Sequence, residues 1–380
     1  MIQTTVPAPV APSRRRWAVV AVCGFALFLV GVDTTIVTIG LGEIGGALGV
    51  GADRLSWVVD AYTVVFAALL ITSGALADRV GRRRVFTTGL VVFGIASLAC
   101  ASAPTLGVLI TARAVQGVGA SMLTPVALAI VVNVMTDPRE RATAIGIWGA
   151  IFGLSMAAGP VTGGVLISSF DWRAVFWINV PVVLLALVLV ALVVPESRGQ
   201  HIRRIDAPGQ ALLIVLLVVA VGLLIEGPRT GWTASAALVG YGVLAVTLAA
   251  FIAIESGRRE PLIEPALFRR ASFTGAVVGA FVVFVAFSMT LLMTTQLLQG
   301  AEGWTPTAAG VATLPMAVGA TLFAPLSGYL VGRTGPRLPL VLAGVLLSAG
   351  GLCLASLAAG MNLAVLLIAY LLVGAGVAFA

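Results

Sequence analysis

Lysine is absent from this 380-residue chain: all 22 basic side chains are arginine. Without it there is no P-loop amine to grip a nucleotide phosphate and no Schiff-base nucleophile. The single histidine, His201, cannot make a histidine metal cluster or a Ser-His relay. Cys23, Cys100 and Cys353 stand singly in separate apolar blocks, without CxxC or metal spacing, and read as small packing residues. The sequence therefore implies no enzyme, no metal, no cofactor and no ATP hydrolysis. Charge is also scarce, at 10% against 60% hydrophobic residues; soluble domains run at ~25% and ~45–50%.

What the chain has instead is long uncharged runs, several exceeding the ~18 residues that mark a transmembrane helix. Twelve apolar blocks lie near 17–41, 56–77, 85–103, 106–132, 142–169, 174–194, 207–225, 234–254, 272–298, 307–331, 338–359 and 363–380. The fold class is all-α, a polytopic bundle of transmembrane helices. Of the 22 arginines, 18 fall in one alternate set of connections and only Arg54, Arg173 and Arg229 in the other. By the positive-inside rule the N-terminus and the Arg-rich loops are cytoplasmic. The net charge of +7 is then a topology signal and not a nucleic-acid footprint. The first block is too long for a signal peptide, whose apolar core runs ~7–15 residues. Residues 1–16 read as a disordered cytoplasmic tail.

A segment after the second block recurs after the tenth. Gly74, Asp78-Arg79, Gly81 and Arg82-Arg83 align with Gly328, Gly332-Arg333, Gly335 and Pro336-Arg337, offset by 254 residues. Eight blocks separate the copies, so both face the same side, as parallel transporter repeats do.

The ordered motifs resemble the major facilitator superfamily, in particular its fourteen-span drug:proton antiporters. The Gly74 to Arg83 segment is similar to that family's loop between spans 2 and 3. Asp33-Thr34-Thr35-Ile36-Val37 resembles its helix 1 signature, and Arg113-Ala114-Val115-Gln116-Gly117-Val118-Gly119 its helix 4 motif. Gly159-Pro160-Val161-Thr162-Gly163-Gly164, with Gly153 upstream, resembles the span 5 motif associated with antiport. Asp171-Trp172-Arg173 and Phe176-Trp177-Ile178-Asn179-Val180-Pro181 resemble the approach to span 6. The resemblance implies an N-terminal six-helix bundle over 17–194, a loop and two linker helices over 195–260, and a partial C-terminal bundle of four helices over 261–380. It also implies proton-coupled export of small amphiphilic drugs or antibiotics across the cytoplasmic membrane. The expected partners are a small-molecule substrate, protons and the lipid bilayer, with no nucleic acid and a monomeric chain.

Ionisable residues inside spans are costly and mark function by default. At ~1.5 Å per residue, Asp33 and Arg113 each lie roughly 10 Å from the outer ends of spans 1 and 4. Burial disfavours a carboxylate and a guanidinium favours it; Asp33 is thus the candidate carrier of the coupling proton, tuned by Arg113, unless the two form a purely structural ion pair. Asp60, between Trp57 and Tyr62 of an interfacial aromatic belt, either contacts a cationic substrate or is hydrated. Glu226 reads as a solvated helix end. Gly149/Gly153 and Gly159/Gly163 have the GxxxG spacing of close helix contacts, and Pro160 favours a kink. Arg82, Arg83 and Arg84 face the cytosol and anionic headgroups. In the family, the carboxylate at the Asp78 position contacts a late helix of the C-terminal bundle and steadies the outward-facing state; that helix is expected to be one of the two missing from this chain.

The chain departs from that family in two ways. It stops at Ala380, near the end of the twelfth block, so two spans are expected to be missing. An inactive truncated fragment is therefore one rival; a proton-independent facilitator or symporter is the other. Span 10, at Gly319-Ala320-Thr321-Leu322-Phe323, lacks the acid that some polyspecific cation exporters carry, which argues against divalent cations.

Overall fold

A computed structural model describes residues 13–199, 206–258, 261–263 and 265–380. Its described residues form α1 (Ser13–Leu48), α2 (Ala52–Val80), α3 (Arg82–Ala101), α4 (Leu106–Val134), α5 (Pro138–Ser169), α6 (Ala174–Trp177), α7 (Asn179–Val193), α8 (Ala207–Thr230), α9 (Ser235–Gly257), α10 (Ala271–Gln296), α11 (Pro306–Ala312), α12 (Leu314–Thr334), α13 (Arg337–Ser356) and α14 (Leu363–Phe379). Eleven spans are long and apolar enough to cross a bilayer, and α14 adds a twelfth apolar helix of 17 residues. Helices suit such runs because lipid offers the backbone no hydrogen-bond partner. Large side chains such as Ile95, Leu192 and Leu352 lie bare on the outside, as a lipid-facing surface requires.

The apolar blocks are recovered with three changes. The first helix begins at Ser13, so Arg14–Arg16 are helical and not part of a tail; residues 1–12 and His201 lie outside the described residues. The sixth block divides at Ile178, just before Pro181, and the tenth at Thr313, just before Pro315. In each case the proline removes a backbone donor at the start of the next helix. Polar caps set other starts: Thr105 accepts from Val108 N, Thr305 from Ala308 N, and Asn362 from Ala364 N and Val365 N. Both copies of the repeated segment turn on a glycine that no other residue replaces cheaply: Gly81 has φ +130° and Gly335 φ +77°.

Helices α1 to α7 pack around two apolar clusters. One gathers Val30, Leu90, Phe93 and Ala120 toward the Arg-rich end; the other gathers Ile36, Val58, Cys100 and Ala112 toward the opposite end. α4 lies against α2 and α3, while α5 lies against α1 and also against α11 and α12. α8 and α9 pair as a hairpin, and α8 sits on α2. Gln210 of α8 donates to the Ala68 carbonyl at 2.7 Å and bonds Thr72. At the other end of α8, Trp57 Nε1 donates to Glu226 at 3.4 Å, and Arg229 pairs with the same carboxylate at 2.7 Å. Glu226 is thus a tether to α2 and not a free helix end.

Close helix contacts depend on glycine. A Cβ on Gly119 would stand 2.6 Å from Phe93 N and 2.9 Å from Gly89 O on α3. Gly119→Val is expected to cost ~1–3 kcal/mol through overpacking, read as a lowered thermal midpoint of the purified protein. Gly107→Ala, which adds a Cβ into open space, should leave it unchanged; equal midpoints for both variants would contradict this packing.

Candidate functional site

Between the two apolar clusters lies a polar layer built on four helices. Asp33 on α1, Ser97 on α3, Arg113 and Gln116 on α4 and Asn179 on α7 are all inaccessible to solvent or nearly so. Arg113 Nη1 donates to Asp33 Oδ2 at 2.6 Å. Asp33 Oδ1 accepts from Gln116 Nε2 and Asn179 Nδ2, each at 2.9 Å. Three donors on two oxygens suit an ionised carboxylate, which can only accept. Gln116 also accepts from Arg113 Nη1 at 2.7 Å and donates to Ser97 Oγ at 2.9 Å. Arg113 Nε donates to the Val58 carbonyl at 3.0 Å.

The guanidinium stacks 4.2 Å above the Tyr62 ring, with Phe176 at 5.8 Å. Its Nη2 has no hydrogen-bond partner among the described residues. Tyr62 is accordingly a core residue and not a member of an interfacial belt. A buried ion pair is retained only when its remaining donors and acceptors are met, and here a shell of amides and an aromatic face does most of that.

Sequence spacing placed Asp33 and Arg113 at one depth, and the fold brings them into contact. Gln116 entered that reading only within a motif, Asn179 only within the approach to span 6, and Ser97 not at all. Counting depth for every polar residue inside a span, and not only for the charged ones, was the signal available. Asp60 stands apart, half-buried on α2 with no hydrogen bond or ion pair among the described residues.

The loop motif closes on itself. Asp78 pairs with Arg82 at 2.8 Å, and Arg82 Nη1 also reaches the Ala129 carbonyl at 3.1 Å. The stretch after α7 covers the loop: Arg82 N donates to Ser197 O at 2.8 Å, Gly199 N to Asp78 O at 3.0 Å, and Arg83 N to Glu196 at 3.0 Å. Gly199 runs so near that a Cβ would stand 2.6 Å from the Asp78 Cβ. Arg83 Nη2 donates to the Ala191 carbonyl at 3.0 Å, whereas Arg79 is exposed. Gly74 faces Pro125 of α4. The Asp78 carboxylate thus engages its own loop.

The glycines of α5 serve two neighbours. On one face, Gly159 and Gly163 touch α1: a Cβ on Gly159 would meet Ile36 N at 3.0 Å, and one on Gly163 the Ile36 carbonyl at 3.1 Å. On the other, Gly153 packs on Ala320 of α12, and Gly164 lies where a Cβ would be 2.5 Å from Pro306 O. Thr307 donates to the Gly164 carbonyl at 2.9 Å, and Gly310 of α11 abuts the Pro160 carbonyl. Gly146 and Gly149 face open space, so of the expected Gly149/Gly153 pair only Gly153 meets a neighbouring helix. α5 continues unbroken through Pro160.

The chain as a whole is similar to known proteins. The chain is 38% identical over 355 residues to the multidrug resistance protein Stp of Mycobacterium tuberculosis, covering 93% of this chain and 66% of that protein. It is 38% identical over 310 residues to the methylenomycin A resistance protein of Streptomyces coelicolor, covering 80% and 63% respectively. The chain therefore spans about two thirds of the length of these relatives. In fold it resembles the crystal structure of a peptide transporter POT in complex with sulfate, with a TM-score of 0.60 at 16% identity over 98% of this chain and 82% of that one. The family model of the Major Facilitator Superfamily matches residues 23–380, and the chain belongs to that superfamily.

Proposed function

We propose that the protein exports small amphiphilic molecules, drugs or antibiotics, across the cytoplasmic membrane in exchange for protons. The observation that carries this reading is the sealed Asp33–Arg113 pair with its Gln116 and Asn179 donors. An ionised pair is an expensive way to hold helices together, and hydrophobic replacements are often as stable. Its retention in the bilayer interior therefore favours a proton-handling role. The names of the relatives, resistance proteins for several drugs or for methylenomycin A, point to export.

The coupling route runs through α1. Asp33 sits two residues before Thr35, which packs with Ile36 against Gly159 and Gly163; the other face of α5 carries α11 and α12. A proton on Asp33 releases Arg113, lets α1 shift against α5, and so alters the seam between 17–194 and 261–380. The linker hairpin within 195–260 travels with α2. With the Arg-rich loops in the cytoplasm, as positive charge favours, the Thr307–Gly164 contact ties α5 to α11 at the outer end, while Gly146 and Gly149, nearer the cytoplasmic end of α5, have no close neighbour. As the candidate gating motif, Gly74, Asp78, Arg79, Gly81, Arg82 and Arg83 brace the cytoplasmic turn between α2 and α3 against α4 and the stretch after α7. Asp60 remains the candidate for a substrate or cation contact.

Reconstitution in liposomes with an imposed pH gradient tests the reading, using a panel that includes methylenomycin A. Efflux that follows the gradient and stops when it is collapsed is the expected result. Efflux indifferent to the gradient would favour a facilitator, and none at all would reject transport by this chain.

A further inference from the structure

Two carboxyl groups that the transport reading does not use meet at the foot of the α8–α9 hairpin. Asp206 caps α8 and Glu255 lies in the last turn of α9; both are buried, 4% and 1% exposed. Asp206 Oδ1 accepts from Gly209 N at 2.8 Å and pairs with Arg258 Nη1 at 2.7 Å. Glu255 Oε2 accepts from Leu262 N and, at 3.2 Å, from Ile263 N. The remaining two oxygens, Asp206 Oδ2 and Glu255 Oε1, are buried without a hydrogen-bond partner. A Cβ on Gly209 would touch both, so they border one small space beside the start of α8. We infer that Asp206 and Glu255 hold one proton between these two oxygens, a proton-binding site separate from Asp33 that fastens both ends of the hairpin to the segment leading into α10.

Charge and donors both call for that proton. Two buried carboxylates face one arginine, and like charges sharing a site do not both ionise cheaply. A buried acceptor without a donor is costly as well. A protonated carboxyl is itself a donor, so one O–H between Oδ2 and Oε1 meets both orphaned atoms and leaves a single negative charge opposite Arg258. A metal ion would also meet them, but two oxygens are too few for a hard cation, and no group of three possible ligands occurs among the described residues. Among those residues no charged side chain other than Arg258 bonds the pair. On α2, which packs against α8, Asp78 is held by Arg82 and Arg79 is exposed. Arg269, in the turn Pro265–Arg269 beside α9, is exposed too. Arg203, Arg204, Arg259, Glu260 and Glu264 lie outside the described residues.

The folded state thus holds a proton that the unfolded chain has released at neutral pH. Stability falls as rising pH removes that proton and the two carboxylates repel. Glu255→Gln supplies the same bond without a titrating proton: its Nε2 donates to Asp206 Oδ2 while its oxygen keeps Leu262 N and Ile263 N. Infrared spectra of the purified full chain in nanodiscs at neutral pH should show a protonated-carboxyl carbonyl stretch in the parent that is missing from this variant. On raising the pH the parent should lose that band and a few degrees of thermal midpoint, a fall that Glu255→Gln should not share. Should Glu255→Gln not fold, Asp206→Asn, which places an amide donor on the other side of the same bond, gives both readings. No protonated-carboxyl band in the parent, a band that survives in the variant, or an equal fall of midpoint in parent and variant overturns the inference. None of these readings involves transport, so a failure of the export reading leaves this one standing.

Discussion

Replacing Asp33 by asparagine is expected to abolish gradient-driven efflux. It also leaves Arg113 as a buried cation with no counter-charge, at a cost of ~3–5 kcal/mol. The two effects are separable. In the double variant Asp33→Asn with Arg113→Gln both charges go, and the amides of Gln116 and Asn179 can bond the neutral pair, so most of the stability should return. Efflux should not return, because no group in the layer then exchanges a proton. Thermal midpoints and liposome efflux, measured on the single and double variants, distinguish the outcomes. A double variant that is stable and still couples efflux to the gradient would reduce the pair to a structural role.

A second large effect is expected at the seam. Gly164→Leu drives a side chain into the Pro306 carbonyl, 2.5 Å from where its Cβ would stand. Gly164 faces α11, so the packing of α5 on α1 through Gly159 and Gly163 is untouched. Overpacking of ~1–3 kcal/mol falls on the closed seam, and efflux should drop by at least about tenfold. Gly146→Ala, whose Cβ enters open space, should transport as the parent does. Equal efflux from the two variants would remove the seam from the transport cycle.

Much of this architecture was legible before any coordinates. Twelve apolar blocks and the alternation of arginine gave the helices and their alternating connections, because in a bilayer length and charge are nearly the whole constraint. Asp33 and Arg113 were legible for the same reason: charge in a span is rare, and depth follows from counting. Ser97 and Asn179 were not singled out, since a serine or asparagine inside a span is cheap enough to be common and its partner depends on helix rotation, which a nearly all-apolar helix does not reveal. Tyr62 was misplaced as an interfacial residue for that reason. The GxxxG pattern marked α5 as a packing helix but not which glycine met which neighbour; Gly159 and Gly163 face α1, while Gly153 and Gly164 face the other way. The Asp78–Arg82 pair is local and within reach of sequence spacing, whereas the cover supplied by Glu196, Ser197 and Gly199 comes from a stretch more than a hundred residues further along the chain.

Asp33 is proposed to exchange the proton that drives the seam. The direct measurement is proton release from purified protein in lightly buffered detergent on adding the compound exported in the liposome assay. The parent should acidify the medium in proportion to the compound bound, and the stable Asp33→Asn, Arg113→Gln variant should bind that compound without any pH change. Equal proton release from both proteins would contradict the account.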